Sequence, residues 1–171
     1  MVLDVPYFKQ ENNYTCGAVT VQMLLRHHGI VASEDNLKID LHTDKVYGTH
    51  HSAIINELTA RGLYCYVNTG STFDDVRFYV RDKKLPVLIH YLETIADWGH
   101  YALIVGYDRH NIFFNDPLYG HKYTLPRTTF LERWQDEKGD FPQWMLVAAQ
   151  EPFAIGKQYK PVAKKQLYKK V

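Results

Sequence analysis

A helix too apolar to be left at a surface sets the terms for this chain. In QENNYTCGAVTVQMLLRHHG, from Gln10 to Gly29, the residues Ala18, Val19, Val21, Met23, Leu24 and Leu25 cover a wide arc. A helix apolar over so much of its circumference has to be covered by other elements, so the rest of the chain must wrap it. Thr15 is placed to cap it, Cys16 and Gly17 fall in its first turn, and Gly29 closes it. A thiol at that end meets unpaired N–H groups and the positive pole of the helix. Reactive cysteines so placed titrate at roughly 3.5 to 7.5 instead of about 8.5. Gln10 lies on the loop that passes over the helix start. Its carboxamide and the Cys16 backbone N–H can both donate to an oxyanion beside the sulfur. The plainer reading of Cys16 is a small buried hydrophobe.

The other segments read as helices first and strands later. Residues 2–8 are extended, Ser33 caps a short helix to about His42, and Thr49 caps HHSAIINELTAR, which Gly62 stops. Leu63 to Val67 reads as a strand, and Ser71 begins a helix carrying Phe73, Val76, Tyr79 and Val80. Strands follow at Leu85 to Leu92, His100 to Tyr107, Asn111 to Asn115, about Tyr119 to Leu125, and Trp144 to Ala149, with one helix near Thr128 to Trp134. That order is an α+β arrangement. With 171 residues, 46% of them hydrophobic and 23% charged, one core suffices, and residues 1–156 read as one domain.

Two cysteines outside any CxxC pattern favour a reducing compartment, and no run resembles a signal peptide or a membrane span. The expected location is cytoplasmic, at most peripheral to a membrane. Six lysines and no acid follow Glu151, so with a net charge of +1 the preceding chain carries −5. Residues 157–171 thus form a basic tail suited to a membrane surface or an exporter, or simply to solvent. No motif for nucleic acid is present, and none is expected to bind.

His100 opens one strand and Asp116 ends the next. A five-residue connection from Gly106 to His110 sets the two directly opposite, about 4.5 to 5.5 Å apart at Cβ. A two-residue turn would slip that register. An imidazole held by a carboxylate is what a thiol needs to lose its proton and to protonate a leaving amine.

Glutamine, cysteine, histidine and carboxylate in that chain order resemble the papain-like cysteine peptidases. The segments QENNYTCGAVTVQMLLRHHG, GTHHSAIINELTARGL, LPVLIHYL, GHYALIVGYD, NDPLYG and FLERW resemble one branch in particular, the double-glycine bacteriocin-processing peptidases and their free-standing relatives, over about residues 5–150. The resemblance implies a papain-like fold, a helical lobe carrying Cys16 as nucleophile, and a sheet lobe carrying His100 as base. Asp116 would orient His100 and Gln10 would complete the oxyanion hole. Thr15 stands where the branch often has aspartate, no transporter follows in this sequence, and the second cysteine of the fuller papain motif is absent. The expected activity is hydrolysis of a peptide bond, of leader-peptide or double-glycine type, in a peptide or protein substrate. The alternatives are acyl or peptidyl transfer on the same residues, or peptide binding without chemistry. No cofactor or metal is expected.

Other residues have rival readings. Cys65 reads as core, and His90 as a satisfied histidine. The doublets His27-His28 and His50-His51 lack ligand spacing. Gly17, Trp98 and Gly99 are candidates for substrate contact. Asp97 and Asp108 compete with Asp116 but are better explained as turn residues.

Overall fold

The computed structural model describes residues 1–162. The helix expected around Cys16 is present as α1 (Cys16–His27), with Gly17 to Val21 and Met23 to Leu25 buried. Each fully buried leucine of this kind contributes about 1.5–3 kcal/mol by leaving water. Thr15 occupies the cap position but does not cap: its hydroxyl donates to the Asn12 carbonyl at 3.0 Å, drawing the 10–15 loop tight over the helix start. The short α2 (Glu34–Asp40) is capped by Ser33, which accepts from the Asn36 N–H. In α3 (His51–Ala60) the cap position belongs to His50, one residue later than expected, because the Thr49 hydroxyl is engaged with that of Thr43.

Among the described residues, six strands form one antiparallel sheet in the order β1-β6-β2-β3-β4-β5. They are β1 (Tyr64–Asn68), β2 (Val87–Leu92), β3 (Gly99–Tyr107), β4 (Asn111–Asp116), β5 (Gly120–Pro126) and β6 (Met145–Ala149). Helix α4 (Phe73–Arg77) starts at a Thr72–Asp75 capping box and runs into a π-helical turn, Phe78–Asp82. Helix α5 (Arg127–Arg133) follows β5 directly.

Alternation along the strands gives the sheet two apolar faces. Leu88, Tyr101, Leu103, Val105, Leu146 and Ala148 meet the first three helices. Ile89, Tyr91, Ala102, Ile104, Met145 and Val147 meet α4, the π turn and α5. Helix α1 is therefore sealed between the sheet and its neighbouring helices, as its all-round apolarity requires.

The register of β3 with β4 differs from expectation. Leu103 faces Asn115 and Ile104 faces Phe114, a bulge separates Ile104 from Gly106, and Asp108 and Asn111 flank a two-residue turn. The slip begins at that turn, which the Asp108 carboxylate holds by accepting the His110 and Asn111 N–H groups, each at 2.7 Å. Residues 1–3 pair antiparallel with β3 beside the bulge, where Val2 bridges Gly106 and a Cβ on that glycine would lie 2.5 Å from the Met1 carbonyl oxygen.

The chain continues past residue 156 against the sheet. Tyr159 exchanges backbone hydrogen bonds with Cys65 in β1, and the Val162 N–H reaches the Thr59 carbonyl. Lys157 and Lys160 belong to this stretch, whereas the other four lysines of the basic tail lie outside the described residues. Among the described residues, no helix is long and apolar enough to cross a membrane.

Candidate active site

Cys16 sits half-buried at the head of α1, and Thr20 fixes that turn by donating its hydroxyl to the Cys16 carbonyl at 2.7 Å. The His100 ring and the Tyr101 backbone N–H both act on the sulfur. Burial by itself pushes the thiol up, but the charge and hydrogen bond of His100 and the Tyr101 N–H together bring it below its ordinary value. His100 shows the matching behaviour. Burial favours its neutral form, yet the Cys16 thiolate and the hydrogen bond to Asp116 raise it above the ordinary imidazole value. The pair thus favours thiolate with imidazolium.

Asp116 is fully buried and accepts from four donors. His100 Nε2 lies 2.8 Å from Oδ1, which also takes the backbone N–H groups of Leu118 and Tyr119 at 2.9 and 3.0 Å. Tyr91 donates its hydroxyl to Oδ2 at 2.7 Å. With Nε2 committed to Asp116, Nδ1 is the ring nitrogen left for the sulfur. The contact survives the slipped register because Asp116 reaches His100 diagonally across the strands instead of from directly opposite. The rival carboxylates are elsewhere: Asp97 pairs with Arg133, and Asp108 accepts the His110 and Asn111 N–H groups of its own turn.

Gln10 is buried, with its backbone N–H bonded to the Pro117 carbonyl, so its loop is tied to the loop that follows Asp116. Its Nε2 donates one hydrogen to the Asn12 carbonyl at 2.7 Å, and its Oε1 has no partner. Gly17 is crowded: a Cβ there would lie 2.7 Å from that of Thr49 and 3.2 Å from the Tyr101 ring. Gly99 donates its N–H to Glu137, and Trp98 stands 62% exposed on the loop before His100.

A cavity of about 950 Å³ is lined in part by Thr49, His51, His90, Gly99, Tyr101 and Trp144, and Cys16, His100, Asp116 and Gln10 are not in its lining. His51 lies flat on Trp144, with ring centroids 3.9 Å apart. The Tyr101 hydroxyl donates its only proton to the Thr49 carbonyl at 2.8 Å, so it accepts from His51 Nδ1, 2.6 Å away. Burial holds His51 down to about 3 and His90 to about 4, leaving both rings neutral near pH 7. His90 Nδ1 is buried without a partner, so this residue is not the satisfied histidine that its strand suggests. His27 and His28 pack edge to face at the far end of α1. Cys65 is fully buried in β1, and burial pushes its thiol up to about 12.

Sequence reasoning overlooked Tyr91, Tyr101, Tyr119 and Glu93. Tyr91 carried a usable signal: it pairs with His100 across β2 and β3, a relation that the strand assignments imply once a hairpin is assumed.

A cysteine heading a buried helix, set against histidine and a buried carboxylate from an antiparallel sheet, is the plan of the papain-like cysteine peptidases. The chain belongs to the Peptidase_C39 like family, whose profile matches residues 2–140, and is a cysteine-type peptidase. Three solved structures share the fold. A C39-like peptidase from Bacillus anthracis is 16% identical with a TM-score of 0.71, covering 88% of this chain and 98% of its own. A double glycine motif protease from an AMS/PCAT transporter, in complex with the leader peptide, is 17% identical at a TM-score of 0.68, covering 86% and 92%. The peptidase domain of Streptococcus ComA, a bi-functional ABC transporter involved in quorum sensing, is 18% identical at 0.68, covering 84% and 97%. No curated protein matches the chain.

Proposed function

We propose that Cys16, His100, Asp116 and Gln10 form the catalytic machinery, and that the protein cleaves a peptide bond through a thioester acyl-enzyme. The observation that carries this reading is the buried His100–Asp116 pair, 2.8 Å between Nε2 and Oδ1, set beside the Cys16 thiol, whose ionised form the His100 charge favours. In the first half-reaction the thiolate adds to the scissile carbonyl carbon, and the oxyanion accepts the Cys16 N–H and the second Nε2 hydrogen of Gln10. The C–N bond breaks as His100 passes its Nδ1 proton to the leaving amine. Neutral His100 then takes a proton from water, whose oxygen adds to the thioester. Breaking the C–S bond releases the acid and restores the thiolate. Asp116 stays ionised throughout, holding the ring and stabilising its charged form.

Cleavage after a double-glycine pair, with a leader peptide as substrate, is supported by the relative solved with its leader. The test is a digest of a peptide library containing Gly-Gly leaders, read by mass spectrometry for the parent and for Cys16→Ala. Products ending in Gly-Gly from the parent alone support the reading. Identical products from both proteins, or cleavage indifferent to Gly-Gly, overturn the nucleophile or the specificity respectively.

A further inference from the structure

Glu93, immediately after β2, is an acid buried to 5% exposure, and among the described residues neither Lys nor Arg pairs with its carboxylate. Four other donors surround it. The backbone N–H groups of Ile95, Ala96 and Trp98 reach it at 2.8, 2.7 and 3.3 Å, and the Tyr119 hydroxyl completes the set. A charge taken out of water persists only when satisfied in this way. The Glu93 N–H also reaches the Trp98 carbonyl at 2.9 Å, so residues 93–98 are closed into a ring just before His100.

Tyr119 belongs to the other half of the site. Its backbone N–H is one of the donors on Asp116, and its ring lies edge-on to His100 with centroids 6.2 Å apart. The Tyr119–Glu93 hydrogen bond therefore joins the loop that delivers His100 to the turn that holds Asp116. Arg133 braces the first loop from outside, donating to the Leu92 and Glu93 carbonyls at 2.7 and 2.6 Å and to Asp97.

We infer that Glu93, acting through Tyr119, is a positioning residue that locks the His100 loop to the Asp116 turn and so fixes the imidazole against the Cys16 sulfur. The inference rests on the proposed triad, but it concerns residues that touch no reacting atom. Loss of the link lets the two loops move independently, and displacement of a reacting group by about 1 Å is enough to cost ~100-fold in rate. The imidazolium then supports the thiolate less well.

The test uses carbamidomethylation of Cys16 by iodoacetamide from about pH 4 to 10, followed by peptide mass with Cys65 as internal reference. The proteins are the full-length parent, Glu93→Gln, Tyr119→Phe, the double variant and His100→Ala. In each single variant the acid limb of Cys16 labelling is expected to move up by about one pH unit, toward that of His100→Ala. The double variant is expected to move no further than the larger single shift, as for two residues acting through one contact. Limbs unmoved in both variants, even with a lowered melting temperature, would reduce Glu93 to a structural acid and overturn the inference. Additive shifts would do the same. Should Glu93→Gln lose its near-UV circular dichroism, Tyr119→Phe decides, since it removes one hydroxyl and keeps the ring. A parent whose acid limb of Cys16 labelling coincides with that of His100→Ala defeats the triad itself, an outcome distinct from a parent whose limb lies lower and variants that do not differ from it.

Discussion

Asp116→Asn separates the charge of the carboxylate from its geometry. The four donors divide unevenly, three on Oδ1 and the Tyr91 hydroxyl on Oδ2. An asparagine can keep its oxygen under the three donors and turn its amide nitrogen toward Tyr91, whose oxygen can accept instead of donating. The ring thus stays in place while the negative charge goes. The contact is 2.8 Å between heavy atoms. With charge centres roughly 4 Å apart and an effective dielectric near 20, the lost attraction is at most ~4 kcal/mol. The retained hydrogen bond and relaxation reduce this to about 1–3 pH units on the imidazolium.

The two limbs should respond with opposite weight. The His100 titration, raised in the parent, falls by that amount, which closes the thiolate–imidazolium window from its alkaline side. The acid limb, set by Cys16, moves little or slightly downward, because the direct repulsion between Asp116 and the thiolate is also removed. Ring NMR of isotopically labelled histidine reads the first limb, assigned by its loss in His100→Ala, and the pH dependence of Cys16 alkylation reads the second. An alkaline limb that stays put in Asp116→Asn would refute the electrostatic role of the carboxylate, leaving only orientation.

Other outcomes follow from the same geometry. Iodoacetamide near pH 6 should modify Cys16 well before Cys65, whose thiol is buried and raised to about 12, and His100→Ala should slow Cys16 labelling by about tenfold or more in peptide mass mapping. Gln10→Ala should lower kcat by about 10²–10³ on a cleaved peptide while leaving the alkylation rate of Cys16 unchanged, since the donor acts on the oxyanion and not on the sulfur. Gly17→Ala drives a Cβ against Thr49, whose hydroxyl is held by Thr43 at 2.6 Å, and should cost about 1–3 kcal/mol in denaturant unfolding. Adding Thr49→Gly should recover most of that loss; no recovery would place the strain elsewhere.

Residues whose signals are local are legible in the sequence. Helix α1 shows in its apolar arc, the Ser33 cap in one hydroxyl, and the strands in their β-branched and aromatic runs. Cys16, His100 and Asp116 stand out through the thiol at a helix end and the spacing of imidazole and carboxylate, while their roles are legible only through the resemblance to the papain-like peptidases. The register that joins the last two is not legible. It follows from the two-residue turn that the Asp108 carboxylate holds, where Gly106 to His110 reads equally well as a five-residue connection. Thr15 and Thr49 fail as caps for a related reason: each hydroxyl finds a better partner in the fold. Glu93 is invisible because an acid before a loop normally points to water, and only tertiary structure supplies the ring of N–H donors that buries it.

Strand order carries a consequence for biosynthesis. β6 emerges from the ribosome after every other strand, yet it occupies the place between β1 and β2, and the residues just beyond it lie along the outer edge of β1. A nascent chain lacking residues 145–149 has its sulfur and its imidazole but a gap in the middle of its sheet. Closure of the sheet therefore waits for a segment made after the other strands, and its pairing partners β1 and β2 must be held in reach until then.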